Sequence, residues 1–326
     1  MIRVGTAGWD YPDWDGVVYP SPRSRSFDRL RFISDYFDAV ELNVTFYRQP
    51  DRRQVAAWVE RLEDRTDFRF TAKLHRSLTH PRGSGVGSEQ DPWGREGGEK
   101  RAWSAAAQDC PASAGGGLGN AAEMFREGID PLVRAGRLLA VLMQFPQSFD
   151  RRLHHREHLQ TLASLLRGLP LVAEFRHRSW NEEAILDDLR RWGIGFCNID
   201  QPSLGATMPP TSHATSSIAY IRLHGRNARN WFRRSARPFE RYDYLYSMEE
   251  LDPWIRRIKD LAGAVEQVVV IANNHYRGKG PANGLMMKSA LERRRVDAPS
   301  TLVEAYPALE GRVVTKRHSP EQGRLF

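Results

Sequence analysis

The sequence predicts an α/β protein built as a single (β/α)8 TIM-type barrel, with an irregular connection after strand six. Three observations predict it. Eight short β-rich apolar runs recur along 326 residues. Most are followed by helix-like amphipathic segments, the alternation of a parallel sheet wrapped by helices. The length suits one such domain, which typically takes about 250 residues or more.

The first four strands are expected at Arg3–Thr6, Ala39–Leu42, Phe68–Ala72 and Leu138–Gln144. The last four are expected at Leu171–Phe175, Gly195–Ile199, Ala219–Leu223 and Val268–Ala272. Between them, Phe27–Phe37 carries apolar residues at Phe27, Leu30, Ile33 and Phe37, the stripe of a helix facing a sheet. Asp51–Leu62 opens with Asp51 as an N-cap and buries Val55, Trp58, Val59 and Leu62. Glu182–Trp192 aligns Ile185, Leu186, Leu189 and Trp192, and Pro281–Leu291 begins with proline in a first turn, where its missing N–H costs nothing. Pro202–Ser217, rich in Pro, Ser and Thr, is read as a loop. Arg82–Asn120 holds GSGVG, GREGG and AGGGLGN with little periodicity and reads as a mobile insertion, either a lid or a surface excursion. Residues 1–310 are expected to form the barrel and 311–326 a flexible basic tail.

Composition excludes several classes. MIRVGTAGWDYPDW has no apolar core of a secretory leader, and no run of about 18 apolar residues occurs. Cys110 and Cys197 alone make no disulfide framework or zinc spacing, so a reducing, cytoplasmic setting is expected. Forty-eight Lys and Arg against 40 Asp and Glu give a formal charge of +8, which favours anionic partners such as nucleic acid or phosphorylated small molecules.

The phrases VGTAGW, AVELNVTFYRQP, FRFTAKLHRSLTH, EFRHRSW, RLHGRN, RYDYLYSMEEL, NNHYRGKGPANG and LVEAYP occur in this order from Arg3 to about Pro307. Together they resemble the YecE-like family, domain of unknown function 72, in its bacterial branch. The resemblance implies a TIM-type barrel and no settled activity or cofactor. The chain departs from the family pattern at Arg82–Asn120, where members have a short connection before the fourth strand.

In such barrels the working residues sit at the C-terminal strand ends. The first strand ends near Trp9; the second supplies Glu41 and Asn43, followed by Tyr47. The third gives Lys73 and His75, the fourth Gln144, the fifth Glu174 and Arg176, and the sixth Asn198 and Asp200. The seventh offers Arg222 and His224, followed by Arg226, and the eighth Asn273 and Asn274, followed by Arg277 and Lys279. Glu41, Lys73, Glu174, Asp200, Arg222 and His224 are the candidate catalytic groups and the others candidate substrate contacts. So many polar strand ends are costly unless they pair, and a closing salt-bridge network, with Glu41–Lys73 and Glu174–Arg222 as pairs, is the bland reading.

Three chemistries fit this set. Glu41, Glu174, Asp200 and His224, with His75, are donors suited to Mg²⁺, Mn²⁺ or Zn²⁺, which would activate water or polarise a carbonyl. Glu41 and Glu174 alternatively form an acid/base pair for glycosidic chemistry. Lys73 in a desolvated pocket alternatively forms a Schiff base, as in aldolases or base-excision lyases.

Two further features point to nucleic acid. Arg222–Tyr246 interleaves seven arginines, among them Arg229, Arg234 and Arg237, with Trp231, Phe232, Phe239, Tyr242, Tyr244 and Tyr246. Arginines grip phosphates while aromatic faces stack on unpaired bases; the same mixture also suits a loop packed on the barrel. The terminal QGRLF resembles the pentapeptide that docks bacterial repair proteins on the sliding clamp, with Gln322 at the groove rim and Leu325 and Phe326 in its apolar pocket. The leading expectation is therefore a clamp-tethered, metal-assisted hydrolase or lyase acting on nucleic acid. A carbohydrate or sugar-phosphate enzyme and a non-catalytic nucleic-acid or clamp-binding module are the alternatives.

Overall fold

Runs such as QVVVIA and LLAVLMQ are apolar at nearly every position, as a strand buried on both faces requires. In the computed structural model, which describes residues 1–24, 26–80, 117–233 and 238–316, eight such runs form a closed parallel barrel in chain order. They are β1 (Ile2–Ala7), β2 (Ala39–Leu42), β3 (Arg69–Lys73) and β4 (Leu138–Gln144). The other half is β5 (Leu171–Glu174), β6 (Gly195–Asp200), β7 (Ile218–Leu223) and β8 (Gln267–Ala272). β8 returns to β1, with Val4 beside Val270. All eight expected strands are present, within a residue or two at each end.

The helices follow their caps. Asp51 accepts from the Gln54 amide at 2.9 Å and starts the helix Arg52–Arg61. Asp28 accepts from the Leu30 and Arg31 amides, so the helix expected from Phe27 runs only over Arg29–Ser34. The expected 182–192 helix spans Glu183–Trp192 and ends at Gly193, whose φ of +67° is the left-handed stop. Lys279–Glu292 begins two residues before the expected start, with Pro281 still in the first turn. Longer helices at Leu118–Arg134, Leu153–Leu165 and Met248–Ala264 complete the outer layer.

The connection after β6 is irregular, as expected, and Asn198 organises it. Its Oδ1 accepts from Thr211 Oγ1 at 2.8 Å and the His213 amide at 2.7 Å, tying the loop to the strand before β7. Two strands were not foreseen: β9 (Val296–Pro299) and β10 (Val313–Lys316) pair in parallel outside the barrel. The ordered fold therefore extends past residue 310, into the segment expected to be tail. Of the expected insertion, residues 117–120 are described and 118–120 open the Leu118–Arg134 helix. Residues 81–116, Arg234 and Arg237, and the clamp-like Gln322, Leu325 and Phe326 lie outside the described residues. No helix among the described residues is long and apolar enough to cross a membrane.

Gly128 fixes how the Leu118–Arg134 helix lies on the barrel: a Cβ there would fall 2.1 Å from the Pro50 carbonyl oxygen. Gly128→Ala should lower stability by about 1–3 kcal/mol through overpacking. Gly263→Ala, where nothing lies within 4 Å, should be neutral or stabilising by about 0.5–1 kcal/mol. Urea midpoints compare the two; equal shifts would contradict this packing.

Candidate active site at the barrel mouth

Arg222 stands on β7 at the centre of the barrel's C-terminal end, 0% exposed. Its Nη2 donates to Glu41 Oε1 on β2 at 2.6 Å and to Asn273 Oδ1 at 3.1 Å. Its Nη1 donates to Glu174 Oε2 on β5 and, at 3.1 Å, to Gln144 Oε1 on β4. Tyr220, two residues earlier on the same face of β7, donates to Glu41 Oε2 at 2.8 Å. Its oxygen in turn accepts from Thr71 of β3 at 2.9 Å. One guanidinium thus joins β2, β4, β5 and the end of β8 across the barrel axis.

Electrostatics follow from that geometry. Burial pushes the Glu174 carboxyl up, but Arg222, His224 and Arg176 outweigh it and hold the acid well below its ordinary range. Burial depresses Arg222, yet Glu174 and Glu41 hold its guanidinium more firmly charged than usual. His224 is lowered to about 4, chiefly by burial, so its ring is neutral at neutral pH. Because Arg222 takes the oxygen of the Asn273 amide, the nitrogen of that amide faces His224 Nδ1 at 2.8 Å. Nδ1 must then accept, which leaves the proton on Nε2, 3.3 Å from Glu174 Oε1.

Above this floor lie groups with partial access. Lys73 (7% exposed) sets its Nζ 4.1 Å from the Phe46 ring centroid. Arg176 reaches Glu174 Oε1 at 3.3 Å and places its guanidinium 5.6 Å from the Trp231 ring. Trp231, Tyr242 and His275 continue the rim: Trp231 and Tyr242 are 6.3 Å apart at their centroids, Tyr242 and His275 5.3 Å. His275 stacks on Tyr11 at 4.4 Å. Tyr11, Thr71, Tyr220 and His275 were missed from sequence. Period-two alternation from Arg222 points to Tyr220; no local signal marks the others.

Several expected site residues are elsewhere. Asp200 turns outward, because it alternates with Cys197 and Ile199 on β6. Its Oδ1 accepts from Tyr246 at 2.7 Å and Arg226 Nε at 2.9 Å, and its Oδ2 from Trp254 at 2.6 Å and Arg226 Nη2 at 2.7 Å. Arg226 is therefore committed to Asp200, with Glu250 3.3 Å away. His75 caps the short turn Arg76–Thr79, accepting from the Ser77 amide at 3.3 Å. Asn274 donates to the Tyr244 carbonyl and to Asn283 Oδ1, both at 2.8 Å. Lys279 pairs with Asp243. Arg277 is exposed at the edge, its guanidinium over Tyr276 and its φ at +52°. Trp9 meets Trp58 edge-on at 5.3 Å, Tyr47 is half-buried beside Phe46, and Asn43 precedes the turn Val44–Tyr47.

The proposed metal set is likewise not assembled. A guanidinium occupies the space between Glu41 and Glu174, and Asp200 faces the outer helices. Among the described residues no three His, Cys, Asp or Glu side chains are grouped to hold an ion. Nor does Glu41 pair with Lys73; its ion pair is with Arg222, whereas the expected Glu174–Arg222 pair is present.

Removing the guanidinium alone leaves two buried carboxylates without a counter-charge. Arg222→Met should cost about 3–5 kcal/mol in urea unfolding, and adding Glu41→Gln and Glu174→Gln should recover most of it; a loss under about 1 kcal/mol for the single change would be incompatible with the network. Acid titration gives a second test. Between 6.5, the ordinary histidine value, and about 4 the unfolded chain protonates at His224 while the folded chain does not, so stability falls with pH across that window. Below 4.5 Glu174 adds a further fall, since its folded carboxylate stays ionised. His224→Gln should lower the slope in that window by at most about 1.4 kcal/mol per pH unit, leaving the part that His275, also depressed by burial, contributes; an unchanged slope would place His224 in water.

Comparison with known proteins agrees with this architecture. The family model described as "Protein of unknown function DUF72" matches residues 3–306. UPF0759 protein YunF of Bacillus subtilis (strain 168) is 27% identical over 304 residues, covering 90% of this chain and 95% of that protein. The crystal structure of a DUF72 family protein, TM1631 of Thermotoga maritima MSB8, superposes with a TM-score of 0.73 at 35% identity, over 90% of this chain and 99% of that one. A DUF72 family protein of Enterococcus faecalis V583, EF0366, shares the fold with a TM-score of 0.70 at 22% identity, over 90% and 96% of the two chains. With a family model matched over nearly its whole barrel, the chain belongs to the DUF72 family.

Proposed function

We propose that the barrel mouth is an enzyme site for an anionic, ring-bearing substrate of the nucleic-acid class, worked by side-chain acid–base or amine chemistry. The observation that carries this reading is the pairing of two cations above the sealed floor with an aromatic rim. Arg176, beside Glu174 and against the Trp231 ring, and Lys73, against the Phe46 ring, are the basic groups of the mouth. They suit a phosphate, while Trp231, Tyr242 and His275 form the aromatic wall for an unpaired base.

The same geometry ranks the chemistries. A glycosidase needs one of two carboxyls protonated near neutrality, whereas Glu174 is held ionised by Arg222. Metal-assisted hydrolysis lacks its donor group among the described residues. The lyase branch keeps its essential residue at the mouth: Lys73 Nζ, once deprotonated, adds to an aldehyde carbon and water leaves, giving an imine. Glu41, Glu174, Arg222 and His224 lie beneath as the sealed floor. In this reading Gln322, Leu325 and Phe326 supply the address, by docking on the sliding clamp.

A short single-stranded oligonucleotide carrying an abasic aldehyde tests the proposal. Affinity should fall steeply between 50 and 200 mM salt, by roughly 0.7 log units per log unit of salt for each phosphate held, and Lys73→Ala and Arg176→Ala should each lower that slope. Borohydride should trap a covalent adduct in the native chain and none in Lys73→Ala. Strand cleavage without an adduct would move the assignment to hydrolysis. A salt-independent affinity with no turnover would overturn the nucleic-acid reading and favour a neutral sugar ligand.

A further inference from the structure

At the opposite end of the barrel three arginines converge without an ion-paired carboxylate among the described residues. Arg3 of β1 and Arg137, just before β4, are 8% and 7% exposed, and Arg69 opens β3 half-buried. Arg69 shares its strand face with Thr71, which reaches Tyr220 across the interior, so it points toward the axis at the N-terminal end. Arg3 likewise lies opposite Val4, which packs among the residues under the outer helices. All three guanidiniums donate into one stretch of backbone. Arg3 reaches the Asp67 carbonyl at 2.8 Å and Arg137 the Arg65 carbonyl at 3.1 Å, while Arg69 donates to the Thr66 and Phe68 carbonyls.

None of the three makes an ion pair within 4 Å among the described residues, and Arg3 Nε is buried with no hydrogen-bond partner. Four acids lie near enough to act on them, Asp38 and Asp67 on Arg3, Asp64 and Glu63 on Arg137, but none comes within ion-pair distance; Asp38 is taken by the Val4 amide and Lys288, and Asp64 by Arg31. Arg3 and Arg137 are both lowered, first by burial and next by the neighbouring Arg69 charge. Carbonyls satisfy donors but do not neutralise charge, and burying like charges together is costly without a counter-ion.

We propose that Arg3, Arg69 and Arg137 form a binding site for a small tetrahedral oxyanion, a free phosphate or phosphomonoester, on the face opposite the barrel mouth. Guanidinium forks match such an anion, and five N–H donors on each leave several beyond those spent on carbonyls. The recessed position of Arg3 and Arg137 favours a small anion over a polymer backbone. This site is independent of the function proposed for the mouth.

Thermal unfolding of the full chain in inorganic phosphate against chloride at matched ionic strength is the test. Phosphate should raise Tm by about 2 °C or more in the native chain. Lys73→Ala, at the other end, should keep that increment, whereas Arg69→Gln should lose it. Arg69→Lys, which retains charge without the fork, should keep less than half, and it carries the test if the glutamine variant does not fold. No phosphate-specific increment, a full one in Arg69→Lys, or its loss in Lys73→Ala would overturn the proposal. So would an oligonucleotide that reproduces the phosphate increment and loses it in Arg69→Gln.

Discussion

Burying a guanidinium in the middle of a barrel is tolerable only if its charge is met, and Arg222 meets it with Glu41 and Glu174, while Gln144 and Asn273 take its other outer N–H groups and Nε alone has no partner among the described residues. That requirement dictates the rest of the floor. Glu41 and Glu174 must turn inward to the guanidinium, Gln144 and Asn273 must present their oxygens, and Tyr220 must satisfy the remaining oxygen of Glu41. Once Asn273 is oriented, the tautomer of His224 follows. With all four outer N–H groups of Arg222 bonded and its charge paired, the network favours one arrangement of these side chains.

The site is consequently layered. The groups with the strongest chemistry, two carboxylates and a histidine, are sealed at 0% exposure, while Lys73, Arg176 and the aromatic rim lie above them. In the proposed reading the floor supplies field and rigidity, and the upper groups supply contact. Preorganised charge of this kind does not reorganise when a ligand arrives, the usual source of electrostatic advantage in an enzyme site. Asp200, by contrast, carries four hydrogen bonds on the outer side of β6 and holds Arg226, Tyr246 and, through Trp254, the Met248–Ala264 helix against the barrel. Its role is to shape the wall that bears Trp231 and Tyr242.

The barrel was legible because its strands are short, β-branched and separated by caps and glycines. Which residues face inward was not. Strands of a parallel barrel are apolar on both faces, so alternation pairs Arg222 with His224 and Tyr220 but does not say that Asn198 and Asp200 point the other way. Arg226 and Lys279 read as free phosphate ligands in a linear sequence, and only the fold delivers Asp200 and Asp243 to them. β9 and β10 escaped notice because four-residue strands with a proline or few buried positions carry no periodicity. Arg3, Arg69 and Arg137 are too far apart in sequence to announce a cluster; strand register alone brings them to one end.

Arg222 orients Asn273 and through it fixes the tautomer of His224, while burial keeps that ring neutral. ¹⁵N NMR of the His224 imidazole, titrated in the folded chain, measures that most directly. The account predicts a neutral ring at pH 7 with its proton on Nε2, titrating near 4. A proton on Nδ1, or a ring charged at neutral pH, would contradict it.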